Sequence, residues 1–431
     1  MSSVRACYPD IERHASMQNR ISILRSRAPV LAAVAFVVLA LYVGYHIHGI
    51  VYRGWTMLRV PALSPLFADT RTITHSIDCL LSGQDPYKVR TFDPWYRLYN
   101  YPPIWLDLRY LGVTSRTTVL LGTIFAVMTA GAFLLLFRAR TWITGAIVFL
   151  AITSKAVLFA VERGNTDQVI FFLLVIGFFI IDRRSVALRS WLRGTLIVCL
   201  TILKIFPIAA VVALIRTRRA TVAALLTAVV CVAALLVTCG SRLPFVLANT
   251  PQDLFVSFGS FPFFVAVFRH TSHVLTALVQ HHKKVASIGA LLLALASVVA
   301  GISFRDKLNL FLPLLDFEDS RGGIAAAGLA IFCLAFLRGS SYDYRLIFLL
   351  GALAYLVEDL NGRTSLRSLP AAIALLLLLW KPPELSTFFQ LVDGLVFAGA
   401  CAWLGTSVLD RLRITSSTAL QSADHPSVSK S

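Results

Sequence analysis

Long apolar runs recur along nearly the whole chain, and nothing else in the sequence restricts the possible folds as strongly. A hydrocarbon core of ~30 Å needs about 20 helical residues to cross it. Runs that approach or reach this length lie near 29–51, 117–137, 142–160, 168–182, 194–215, 220–239, 263–280, 285–303, 322–338, 343–357, 369–380 and 388–409. In lipid every backbone polar group must be satisfied within the chain, so such runs form helices. At 57% hydrophobic residues the chain exceeds the ~45–50% of soluble domains. The expectation is an all-α polytopic integral membrane protein, a bundle of about 12 transmembrane helices over residues 29–409. Residues 1–28 form a polar cytoplasmic tail with no cleavable signal, and the Ser/Thr-rich 410–431 a disordered cytoplasmic tail.

The net charge of +18 would suggest nucleic acid in a soluble protein. Here the basic residues sit at span ends: Arg20, Arg25 and Arg27; Arg138 and Arg140; Arg183, Arg184, Arg189 and Arg193; Arg216, Arg218 and Arg219; Arg411 and Arg413. That placement fits the positive-inside rule and attraction to anionic membrane lipids, with no nucleic-acid partner. Of the seven cysteines, from Cys7 to Cys401, most lie inside apolar runs, and no CxxC or Cys/His ligand spacing occurs. His270 and His273 have i,i+3 spacing but no third ligand, so no metal and no cofactor is expected.

A basic N-terminal tail places residue 1 in the cytoplasm, and the polar, aromatic loop 52–116 on the extracytoplasmic face. The charge pattern is regular until 194–215. As a single span this run puts Arg216–Arg219 outside, against the rule, and both termini inside. As a re-entrant hairpin broken at Lys204 and Pro207, it keeps those arginines inside. The single span is the expectation.

Several polar residues carry possible chemistry. Asp69 opens a segment beside apolar surroundings, where a carboxylate can act as general base or simply cap a helix. Asp78, Asp85, Asp93 and Asp107 compete with it. Gly83-Gln84-Asp85-Pro86-Tyr87 reads as a turn anchored by Tyr87, and Asn100-Tyr101-Pro102-Pro103-Ile104-Trp105 as an extended lead into an interfacial helix. Glu162-Arg163-Gly164-Asn165-Thr166-Asp167 is a dense polar knot between two apolar runs; Arg163 can hold a phosphate bidentately, or the knot can pair with itself. Lys204 is a charge in an apolar run and costs ~2.5–3.5 kcal/mol unless paired or hydrated. Tyr342-Asp343-Tyr344-Arg345 opens a late run, with Arg345 either binding phosphate or pairing with Asp343.

In this order the elements resemble glycosyltransferases of the GT-C superfamily that use polyprenyl-phosphate sugars, and within it family 87, which includes the mycobacterial-type mannosyltransferases. The matching pieces are Asp69, Gly83-x-Asp85-Pro86-Tyr87, Tyr101-Pro102-Pro103, Arg163-Gly164-Asn165-x-Asp167-Gln168, Lys204-x-x-Pro207 and Tyr342-x-Tyr344-Arg345. The resemblance spans roughly residues 30–360 and implies an active site on the outer membrane face, a lipid-linked sugar donor and inverting transfer to a glycolipid or polysaccharide acceptor. It implies Asp69 as general base and Arg163, Lys204 and Arg345 as donor-phosphate ligands. Tyr87, Glu162, Asn165, Asp167 and Tyr342 are assigned to substrate positioning. Thr70-Arg71 follows Asp69 where the family has an aromatic pair, which keeps Asp78 as a competitor. The rival reading is a flippase or transporter for lipid-linked sugars, with Lys204 and the 162–167 knot on its substrate path.

Overall fold

The computed structural model describes residues 8–215, 217–249, 256–269, 271–362, 366–382 and 386–423. Cys7, Arg216 and His270, singled out above, lie outside the described residues, as do 1–7 and 424–431 of the two tails. The helices are α1 (Tyr8–His48), α2 (Val51–Met57), α3 (Ala68–Leu81), α4 (Thr118–Leu136), α5 (Trp142–Ile152), α6 (Lys155–Arg163), α7 (Asp167–Ile181), α8 (Val186–Leu203) and α9 (Arg218–Cys239). They continue as α10 (Leu243–Ala248), α11 (Ser260–Arg269), α12 (His273–His281), α13 (Lys283–Ser303), α14 (Arg305–Phe311), α15 (Ser320–Leu337), α16 (Leu350–Gly362), α17 (Leu369–Trp380) and α18 (Ser386–Ala423).

Among the described residues seven helical stretches are long and apolar enough to cross a membrane: Ser22–Ile47, Ser115–Leu136, Trp142–Arg163, Ala220–Ala248, Lys283–Ser303, Ser320–Leu337 and Thr387–Arg413. Three shorter apolar helices, α7, α11 and α17, lie beside them. Seven long and three shorter apolar helices thus stand against the expected twelve or so spans, several of them short. The run at 263–280 splits into α11 and α12, and Phe261 and Val279 of these helices form one cluster with Ala286 of α13. The run at 343–357 begins as a 3₁₀ segment, Asp343–Leu349, before α16.

The run at 194–215 corrects the single-span expectation. α8 stops at Leu203, Lys204 is extended (φ −162°, ψ 143°), and a 3₁₀ segment, Phe206–Leu214, follows. Pro207 sits in the first turn of that segment, where its missing N–H costs nothing. The segment folds back along α8: a methyl group on Gly194 would lie 4.0 Å from Leu214 Cδ1. Lys204 thus marks the tip of a hairpin, and the chain returns to the end of the bundle that holds Arg193.

α15 is the centre of the core. Gly322, Gly323, Ile324, Ala325, Ala326, Ala327 and Gly328 are all buried, because small residues let neighbouring backbones close in where no hydrophobic effect drives association. A Cβ at Gly328 would sit 2.1 Å from the Phe348 carbonyl oxygen. By contrast, Val222, Leu225 and Val229 of α9 and Leu292 and Leu295 of α13 are exposed, as suits lipid contact.

The 52–116 segment is folded. It contains α3 and two 3₁₀ segments, Pro103–Leu111 and Ser115–Thr117, and builds a second core from Ile73, Ile77, Tyr87, Tyr99, Tyr101 and Trp105. This core packs on Phe125, Val169 and Val246. A two-residue antiparallel ladder, β1 (Ser257–Phe258) with β2 (Ser341–Tyr342), ties a distant strand to the segment that carries Arg345.

At the opposite end the buried Arg193 guanidinium pairs with Asp182 and donates to the Phe317 carbonyl at 2.7 Å. Arg305 pairs with Asp410 at 2.8 Å, and Arg411 with Asp316 at 2.5 Å. These contacts anchor α18 as it runs on to Ala423, so the described part of the expected disordered tail is helical.

Candidate active site

The polar residues of the first loop, the 162–167 knot, the Lys204 hairpin tip and the 341–345 segment converge at one end of the bundle. Asp69 lies in the first turn of α3, after Phe67 in the left-handed region (φ 61°). Its Oδ2 accepts from Asn165 Nδ2 at 2.5 Å, and its Oδ1 faces Arg97 Nη1 at 3.4 Å. Arg97 also donates to the Ala68 carbonyl at 2.6 Å and to Asp93 through Nε and Nη2, at 3.2 and 3.0 Å. Thr72 donates to the same Asp93 carboxylate at 3.0 Å. Burial alone would lower the Arg97 pKa; the Asp69 charge and the Asp93 hydrogen bond outweigh it and hold the guanidinium above its ordinary range.

Asn165 owes its position to Gly164. This glycine ends α6 in the left-handed region (φ +57°) and its carbonyl accepts from Thr70 Oγ1 at 2.6 Å. A side chain there would also meet Thr70 Oγ1 at 2.2 Å, so the α3–α6 junction requires glycine. Beyond it, Asn165 Oδ1 accepts from the Asp167 N–H at 2.9 Å and from Lys204 Nζ at 3.0 Å. Lys204 Nζ pairs with Asp167 Oδ1 at 2.9 Å and donates to Thr166 Oγ1 at 3.2 Å. Arg345 Nε faces Asp167 Oδ2 at 3.6 Å, and its Nη1 donates to Ser341 Oγ at 2.5 Å. One continuous network therefore runs Asp93, Arg97, Asp69, Asn165, Lys204, Asp167, Arg345.

Two hollows open on this network. The larger, about 380 Å³, is lined by Asp69, Arg97, Tyr101, Arg163, Tyr342 and Tyr344 among others. The smaller, about 50 Å³, holds Lys204, Phe206 and Arg345, and shares Asn100, Tyr101 and Tyr344 with the first. The size of the larger one is that of a small-molecule site. Burial, and then the Asp69 carboxylate, push the Tyr101 hydroxyl well above its ordinary pKa, so it stays a neutral donor. In the smaller hollow two cations, Lys204 and Arg345, share one carboxylate, Asp167, which leaves a net positive recess.

The remaining sequence-predicted residues divide. Arg163 lines the larger hollow and not the recess, with Nε 3.3 Å from Glu162 Oε2 and Nη2 donating to the Pro61 carbonyl at 3.3 Å. Glu162 is fully buried behind it and accepts from the Leu63 N–H at 2.8 Å. Tyr87 lines neither hollow; its hydroxyl donates to the Tyr101 carbonyl at 2.9 Å and its ring packs edge-on to Tyr99. Asp78 lies two and a half turns along α3 from Asp69 and accepts from the Ser115 N–H at 3.3 Å, so it caps a 3₁₀ turn away from both hollows.

Sequence reasoning missed Arg97 and a second buried cluster. Lys381 Nζ pairs with Asp393 at 2.9 Å and with Asp343 at 3.6 Å, and donates to the Ser257 carbonyl at 2.6 Å. It clamps the β1–β2 ladder and the Tyr342–Arg345 segment to α18. A charge at Asp393, inside an apolar run, was the available signal.

An apolar helical bundle with seven helices long enough to cross a membrane and a polar cavity at one end describes a membrane-embedded protein with a candidate site. The sequence model of glycosyltransferase family 87 matches residues 94–358, more than half of the chain. The protein belongs to glycosyltransferase family 87 and is a membrane glycosyltransferase. Arg97, Arg163, Asn165, Asp167, Lys204 and Arg345 fall within the matched stretch; Asp69, Asp78 and Tyr87 precede it. No curated protein and no solved structure matches the chain.

Proposed function

We propose that the enzyme moves a sugar, a mannose-like hexose or a pentose, from a polyprenyl-phosphate donor to an envelope glycolipid or polysaccharide. The observation that carries this reading is the single network joining a cavity carboxylate, Asp69, to a cationic recess, Lys204 with Arg345. The donor phosphate sits in the recess, and its sugar extends into the larger hollow against Tyr101, Tyr342 and Tyr344. An acceptor hydroxyl attacks the anomeric carbon from the side of Asp69. Its proton passes to the Asp69 carboxylate as the new C–O bond forms, and the anomeric C–O bond to phosphate breaks with inversion. Polyprenyl phosphate leaves with the electron pair, stabilised by Lys204 and Arg345 through pre-set charge. A phosphate leaving group needs no acid partner, so one carboxylate suffices.

Arg163, in the larger hollow, is assigned to sugar or acceptor hydroxyls rather than to the phosphate. Asn165 and Asp167 orient the base and the two cations; Glu162 orients Arg163, and Tyr87 supports Tyr101. Arg138, Arg140, Arg189 and Arg193 flank the helix ends away from the site; by the positive-inside rule they support an orientation with the N-terminus in the cytoplasm and the site on the extracytoplasmic face, in the plasma membrane on this reading.

The test uses protein in nanodiscs with radiolabelled polyprenyl-phosphate mannose, glucose and arabinofuranose, and a native lipid extract as acceptor. Label is expected in a new glycolipid or polysaccharide with wild type and at least 10²-fold less with Asp69→Asn, in line with loss of a general base. Equal transfer by both proteins would remove Asp69 from the chemistry. Absence of transfer, with labelled donor crossing a liposome bilayer instead, would favour the flippase.

A further inference from the structure

Arg97 stands with Asp69 in the lining of the larger hollow, and no step of the proposed transfer uses it. It reaches Asp69 from outside α3. The first turn of that helix follows Phe67, a non-glycine residue at φ 61°, and has no side-chain cap. Left-handed backbone at such a residue persists only where its surroundings hold it. Arg97 grips this turn twice: Nη2 donates to the Ala68 carbonyl at 2.6 Å, and Nη1 faces Asp69 Oδ1 at 3.4 Å.

The guanidinium is itself fixed. Nε and Nη2 donate to Asp93 Oδ1 and Oδ2 at 3.2 and 3.0 Å, a bidentate pair, and the group lies 4.8 Å from the centre of the Trp95 ring. Asp93 is buried and lines neither hollow. It is tied to α3 by Thr72 Oγ1 at 3.0 Å and to its own loop by the Trp95 N–H at 2.8 Å.

Two carboxylates thus share one guanidinium. An ion pair that served the fold alone would be complete with Asp93. The second carboxylate matters when the base takes its proton. Asp69 then becomes neutral, and an arginine paired with it alone would be left as a partly buried cation without a counterion, which is costly. Asp93 stays ionised and keeps Arg97 balanced, so Arg97 can hold Asp69 before and after proton transfer. The contacts divide accordingly: two to Asp93, and a single longer one to Asp69.

We propose that Arg97 is a positioning residue for the base: it fixes the Asp69 carboxylate at the larger hollow, with Asp93 as its standing counterion. The inference rests on the reading of Asp69 as the base.

Steady-state transfer in nanodiscs, with varied concentrations of the labelled donor that wild type accepts, tests the role. Arg97→Ala is expected to lower kcat by roughly 10²-fold, the cost of a misplaced reacting group, with donor KM unchanged because Lys204 and Arg345 are untouched. Added guanidinium ion, at concentrations that do not denature, is expected to enter the vacated place and restore part of that kcat. An arginine that only held the fold together would give no such rescue. Asp93→Asn hands the whole cation to Asp69, and a nearby opposite charge makes a carboxylate a poorer proton acceptor. It is expected to lower kcat with no response to guanidinium, since Arg97 still fills its place. A wild-type kcat in Arg97→Ala overturns the role, and so does a loss that guanidinium leaves unchanged. A wild-type kcat in Asp93→Asn overturns the counterion half of it. Asp69→Asn is measured alongside. Full activity there brings down the base reading itself, whereas an inactive Asp69→Asn beside a fully active Arg97→Ala strikes Arg97 alone.

Discussion

Asn165 is a neutral amide placed between two charges of opposite sign. It donates to Asp69 through Nδ2 and accepts from Lys204 through Oδ1. On the proposed mechanism it sets the separation between base and phosphate. Asn165→Ala is expected to lower kcat by about 10²-fold, the cost of a misplaced reacting group, with expression unchanged; single-turnover kinetics in nanodiscs measure this. Asp167→Asn acts on stability first. It leaves Lys204 and Arg345 buried with no carboxylate between them, and removal of one partner from a buried pair costs ~3–5 kcal/mol. A lower Tm in detergent, with recovery in Asp167→Glu but not Asp167→Ala, is the expected result. These residues were legible because a charge within an apolar run has to find a partner. Arg97 was not. It stands four residues after Asp93 in a polar loop, where an arginine usually faces water, and only the fold turns it inward onto Asp69.

At the level of elements, the hairpin at Lys204 decides the topology. Hydropathy alone cannot distinguish a span from a tight out-and-back turn of the same length, because both bury the same apolar residues. The discriminating signals were Pro207 and the arginines at 216–219, which fit the positive-inside rule only if the chain reverses. Ser185, before α8, and Thr217, before α9, therefore lie toward the same end of the bundle. Cysteines placed at these two positions are expected to react alike with a membrane-impermeant thiol reagent in oriented vesicles; opposite accessibility would restore the single span. The α15 contact with the Asp343–Leu349 segment makes a second prediction. Gly328→Leu drives a side chain into the Phe348 carbonyl, and backbone cannot yield as a flexible side chain does. A stability loss of ~1–3 kcal/mol or more is expected from overpacking, together with weaker donor binding through displacement of Arg345.

Across the whole molecule, the two ends of the bundle are chemically distinct. One holds the linked carboxylates, cations and aromatic rings; the other holds the Arg193–Asp182 and Arg411–Asp316 pairs. The Ser26 carbonyl, near the start of the apolar part of α1, bonds the Ala139 N–H, and Arg411 of α18 bonds Asp316, so α1 at Ser26 and α18 at Arg411 both pass the arginine-rich end. Fusions of a fluorescent protein after α18 are expected to glow and fusions of alkaline phosphatase to be silent, as the proposed orientation requires. The second core of the first loop also bears on biosynthesis. Asn165 follows Asp69 by 96 residues, so at ~5–20 residues per second the nascent Asp69 waits roughly 5–20 s for its partner to be made. Throughout that interval Asp69 lacks the amide that fixes its carboxylate. Tyr87, Tyr99 and Trp105 pack around Ile73 and Ile77, so this part of the loop core is already synthesised when Asn165 arrives.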